Sequence, residues 1–148
     1  MSGNSKQDRQ KSDRRLARQT PDPPDGEVHL WEPSPGEPVS EDVYSIVLSA
    51  EDRVVVRMTR LELNDQLISF AVIQQVGHYG KWDNVAAVDT RHGTLHCHWY
   101  SRVTGARTGT IDHIKNLTSE ADIDDAYDVA YGLILEKWKQ NKVRWHNA

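Results

Sequence analysis

The chain has 148 residues, is 37% hydrophobic and 27% charged, and carries a formal net charge of −4. That length predicts one domain, no run of about 18 apolar residues is present to span a membrane, and no apolar stretch follows the N-terminal charges as a secretory signal would require. A single cysteine, Cys97, excludes an internal disulfide, so the expected setting is a reducing cytoplasm.

The first 42 residues hold 7 apolar side chains and all six prolines. Such a segment buries too little surface to offset its ordering entropy, so residues 1–42 read as a disordered tail and 43–148 as a single folded domain. Charge divides the tail. Residues 1–20 net +4 through Lys6, Arg9, Lys11, Arg14, Arg15 and Arg18 against Asp8 and Asp13, whereas residues 21–42 net −7. The basic arm suits phosphate or an acidic partner; equally, it reads as a solvated tail.

In the body, Val43 to Leu48 reads as a short leading strand. Val54 to Leu63 is rich in β-branched residues, and Gln66 to Val76 sets Ile68, Phe70 and Val72 on one face. Asn64-Asp65 between them suits a two-residue hairpin, because both residues tolerate positive φ. Val76 to Lys81 is a loop with two glycines. Val85 to Thr90 and Leu95 to Tyr100 form another strand pair turning at His92-Gly93, and a weaker strand covers Thr108 to Ile111.

A long helix closes the chain. Thr118 and Ser119 offer capping hydroxyls, acids crowd the first turns and lysines the far end, complementing the helix dipole. Ile123, Tyr127, Ala130, Ile134 and Trp138 make one apolar stripe, and Gly132 within it suggests close packing. The expected architecture is α+β: an antiparallel meander of about four to five strands packed against one C-terminal helix.

The chemistry concentrates in Asp89-Thr90-Arg91-His92-Gly93-Thr94-Leu95-His96-Cys97-His98. If Thr90 pairs with Leu95, Asp89 stands opposite His96 and Ala87 opposite His98, and alternation puts Asp89, His96 and His98 on one solvent-accessible face. Val88, Cys97 and Trp99 then point into the core. Arg91 and His92 fall at the turn beside the polar face, and His113 is a further candidate whose register the sequence leaves open.

Three chemistries fit this grouping. In metal-free RNA cleavage, two imidazoles divide acid and base roles while Arg91 stabilises the charged phosphorane. In a metal site, His96 and His98 are ligands on one strand face, with Asp89 or His92 as a third. In a structural role, Asp89 pins the hairpin through His96. Cys97 reads as an inert small hydrophobe, and His78 and Tyr79 as an ordinary turn. No phosphate-binding glycine loop, paired CxxC or HExxH occurs in the chain.

Asp89-Thr90-Arg91-His92-Gly93 followed by His96-Cys97-His98, with strands upstream and a terminal helix carrying a late Trp138, resembles a group of small prokaryotic proteins sharing an Asp-x-x-His-Gly-x-x-His core. The arrangement is also similar to TumE-type toxins of toxin–antitoxin pairs. That resemblance, over about residues 54–142, implies a growth-inhibiting ribonuclease neutralised by a helix-turn-helix antitoxin protein. The residues themselves call for no cofactor, with a divalent metal on His96, His98 and Asp89 as the alternative. The rival class is a phage- or plasmid-type accessory module that binds a partner without catalysis. One departure bears on phosphate binding: the strand before the motif reads Ala86-Ala87-Val88, where those relatives often carry a basic residue and an aromatic near the Asp.

Overall fold

A computed structural model of the protein describes residues 30–32, 36–91 and 93–147. Six strands follow one another: β1 (Val39–Val47), β2 (Asp52–Leu61), β3 (Leu67–His78), β4 (Lys81–Arg91), β5 (Thr94–Tyr100) and β6 (Arg107–Asn116). Helix α1 (Glu120–Asn147) comes last. The strands form one antiparallel sheet in strictly sequential order. The expected α+β meander and terminal helix are thus present, with six strands rather than four to five.

Alternation gives the sheet two unlike faces. Val54, Val56, Phe70, Val72, Ala86, Val88, Leu95 and Cys97 form the inner face, and Ile123, Ala126, Ala130 and Ile134 of α1 cover it. Gln74, fully buried among them, donates from Nε2 to the Trp138 carbonyl at 2.8 Å, and Asn141 Nδ2 donates to its Oε1 at 3.1 Å. A buried amide without those partners costs a kilocalorie or more, so this pair fixes where α1 crosses β3. At the end of α1, Lys142 Nζ lies 3.0 Å from buried Asp52 on β2.

The stripe on α1 runs further than the sequence predicts. Trp138 is only half-buried, and the buried tryptophan is Trp145, two helical turns beyond it. Thr118 donates from both N–H and hydroxyl to Asp122 Oδ2 at 2.8 and 2.9 Å, so a buried first-turn acid ties down the capping residue. Gly132 is exposed, and a Cβ there meets nothing within 4 Å; close packing is not its role.

Several boundaries also move. The expected loop from Val76 to Lys81 shrinks to the two residues 79–80, because β3 runs on to His78 and β4 starts at Lys81, and β6 is longer than expected. The β2–β3 connection spans residues 62–66 rather than two residues, with Asp65 at φ +62° and the Asn64 side chain accepting from the Gln66 N–H at 3.1 Å. β1 starts four residues inside the stretch whose composition reads as a tail. As an edge strand with seven of its first residues exposed, it carries little apolar signal. Trp31 also docks, its N–H donating to the Leu117 carbonyl at 2.8 Å. The charged arm of residues 1–20, and the expectation that it is disordered, lie outside the described residues.

Candidate metal centre on the open sheet face

The hairpin of β4 and β5 has the register expected from the sequence. Thr90 pairs with Leu95, Asp89 with His96 and Ala87 with His98. The tight connection depends on Gly93, which sits at φ +72° and whose Cα faces Leu30 so closely that an added Cβ would lie 2.4 Å from the Leu30 Cβ. The glycine of the motif is therefore structural on two counts. His92 lies outside the described residues.

Asp89, His96 and His98 converge on the face opposite α1. Asp89 Oδ1 stands 2.8 Å from His96 Nε2 and 3.4 Å from His98 Nε2, and the two rings meet edge to face at 4.6 Å. The face is less open at this point than the sequence suggests: His96 is 8% exposed and His98 3%, while Asp89 is half-buried. Burial pushes both imidazoles below the ordinary histidine value, opposed by the Asp89 charge and reinforced by Arg107 and Arg91.

The hydrogen-bond pattern around His96 assigns its tautomer. The Thr94 hydroxyl has one hydrogen, which it donates to the Arg91 carbonyl at 2.8 Å. Toward His96 Nδ1, 3.1 Å away, the same oxygen must then accept. Nδ1 carries the proton, and a neutral His96 turns the bare lone pair of Nε2 toward a carboxylate. Asp89 Oδ1 and His98 Nε2 are both inaccessible, and beyond their contacts with each other and with His96 neither has a hydrogen-bond partner among the described residues.

Three electron-pair donors thus crowd one spot, all within 4.8 Å of one another. Ligands held at about 2.0–2.2 Å by one cation lie at most about 4.4 Å apart, so a small inward shift of the rings would let the three share an ion. His96 also has the second partner typical of a metal-bound imidazole, with Thr94 fixing the ring.

In front of this cluster lies a cleft of about 400 Å³ lined by Arg91, Arg107, Thr110, Ile111 and His113. His113 stands across from His96, which settles the register that the sequence left open. Arg107 is the residue that sequence reasoning missed. It pairs with Tyr100 across the β5–β6 hairpin, holds the Tyr100 hydroxyl through Nε at 3.4 Å, and brings Nη2 to 3.9 Å from Asp89 Oδ2. The signal for it was the Thr104-Gly105 turn, which folds the chain back on Tyr100. Cys97 faces the core as expected, its thiol pushed up to about 12 by burial. His78 and Tyr79 lie at the β3–β4 turn, at the far end of β4 from Asp89.

Fold and site together define an α+β protein with an open antiparallel sheet whose uncovered face bears an Asp/His/His cluster. The sequence profile of a domain of unknown function (DUF7718) matches residues 37–148, and the chain belongs to that family. No curated protein and no solved structure matches it.

Proposed function

We propose that the protein is a divalent-metal-dependent phosphodiesterase, with Asp89, His96 and His98 as its three protein ligands. The observation that carries this reading is the convergence of Asp89 Oδ1, His96 Nε2 and His98 Nε2, all within 4.8 Å of one another on a largely buried patch. A transition metal bound by imidazole and carboxylate answers all three donors at once. Bound there, the metal supplies a Lewis acid and a water of lowered pKa. Arg91 and Arg107 give the adjoining cleft the charge to hold a phosphoryl group. In hydrolysis the water oxygen bonds to phosphorus, the ester P–O bond breaks, and the departing oxygen takes up a proton.

Calorimetric titration of the metal-stripped chain with Zn²⁺ and Mn²⁺ tests the reading. One equivalent should bind, and Asp89→Asn and His98→Ala should each weaken binding at least tenfold. Absence of stoichiometric binding overturns it.

The toxin-like ribonuclease without metal is the second reading, favoured by two imidazoles flanked by Arg91 and Arg107. It needs one histidine protonated, and burial opposes that in both. RNA cleavage that persists in EDTA and disappears in His96→Ala would select it. Growth arrest on induction, relieved by a neighbouring helix-turn-helix protein, would tie it to a toxin–antitoxin pair.

A further inference from the structure

The chain as a whole is acidic, yet its open sheet face is not. The register places Arg53 and Arg57 of β2, Arg91 of β4 and Arg107 of β6 on the side away from α1. The carboxylates among the described strand residues of that side are Glu41 and Asp89. Asp52, by contrast, turns inward to Lys142, and Asp112 turns inward to Trp99 Nε1 at 2.7 Å. Four guanidinium groups against two carboxylates make this face cationic in a protein of net charge −4.

An aromatic platform accompanies the charge. Trp82 lies across Gly77, where an added Cβ would sit 3.1 Å from the indole, so the missing side chain lets the ring lie flat on the sheet. Trp82 remains 39% exposed, with the Arg53 guanidinium stacked 4.1 Å over its ring. Arg53 is held by Gln75 at 2.8 Å, and Gln75 in turn by Asn84 at 2.8 Å. From Trp82 to Asp89 the face is floored by Ile73, Ala71 and Ala87, a run of about 20 Å at ordinary strand rise. Nothing acidic interrupts it.

We propose that this face binds single-stranded RNA, stacking a base on the Arg53 guanidinium that Trp82 supports and carrying the backbone past Arg57 to the Asp89 cluster. The charge balance selects a polyanion, and an exposed aromatic on an open sheet selects unpaired bases. Thr110 and His113 in the cleft supply donors and acceptors suited to a 2′-hydroxyl, which favours RNA over DNA. The arginines come from β2 and β6 as well as β4, so the alanines before the motif leave the face cationic. The proposal names the substrate class of the phosphodiesterase reading, but binding does not require the metal.

The test is fluorescence anisotropy with a labelled 12-nucleotide RNA of unstructured sequence, the full chain, and EDTA throughout. Arg57→Glu and Trp82→Ala should each weaken binding at least fivefold, whereas Lys137→Glu on the exposed side of α1 should change it less than twofold. Affinity should fall with rising salt, and the duplex and the DNA of the same sequence should bind at least fivefold more weakly. Arg57 is exposed, so its variant keeps the test meaningful even if Trp82→Ala fails to fold. No binding by the wild type, or equal binding by Arg57→Glu, overturns the proposal. Loss of binding in Arg14→Glu/Arg15→Glu alone assigns it to the N-terminal arm and overturns it too, and DNA bound as tightly as RNA overturns the choice of RNA. Binding in EDTA by a chain that takes up no metal sinks the metal reading and leaves this one standing.

Discussion

At the scale of single residues, the decisive atom is the hydrogen of the Thr94 hydroxyl. Because it goes to the Arg91 carbonyl, His96 must carry its own proton on Nδ1, and the rest of the cluster's electrostatics follows. Thr94→Val removes that acceptor and frees the ring to change tautomer. Metal affinity should fall about tenfold or more with little change in melting midpoint, and unchanged affinity would show that the hydroxyl orients nothing. The same burial makes stability depend on pH. The unfolded chain takes up protons near 6.5, whereas the folded imidazoles titrate below that. Stability of the metal-free protein should therefore fall as pH drops through 6.5 toward the folded values, and level off above about 7. Thermal melts between pH 5 and 8 should show this slope reduced in His98→Gln; equal slopes would mean that His98 does not contribute. Asp89, His96 and His98 were legible as one face because a period of two and a short turn leave a single register. Their burial was not legible, since it depends on β6 pairing beside β5.

At the scale of elements, α1 and the sheet are joined by apolar contact and by one polar clasp. Ile134 is fully buried, and Ile134→Ala should cost about 2–5 kcal/mol in chemical denaturation. Gly132 is the converse case: it occupies an exposed helical position with open space, so Gly132→Ala should stabilise by about 1 kcal/mol. A loss on that substitution would reveal a contact that the structure does not contain. The helix was legible over most of its length from its capping residues and stripe. Its far end was not, because Asn141 interrupts the apolar period there, and its partner Gln74 looks out of place in a strand until the two are seen together. β1 escaped in part for a related reason: an edge strand exposed along most of its length has no apolar alternation to read.

For the whole molecule, the boundary of the folded unit is the testable quantity. Removing residues 1–29 should leave the melting midpoint within about a degree. Removing 1–42 takes away Trp31, whose N–H meets Leu117, and the first four residues of β1, and should lower the midpoint by several degrees. Equal midpoints for the two truncations would place β1 and Trp31 outside the cooperative unit. The family profile begins at residue 37, close to the first strand.

The strictly sequential order of the strands has a further consequence during synthesis. Each strand pairs only with its neighbours in the chain, so the sheet can zip up hairpin by hairpin as it leaves the ribosome, with short loops to close at every step. Its cover arrives last, because α1 follows all six strands. Until then the row of Val56, Val72, Val88 and Cys97 is a naked apolar plate with two unpaired edges, the form of intermediate that self-associates. A nascent chain stalled before Glu120 should therefore depend on chaperones in a way that the finished protein does not.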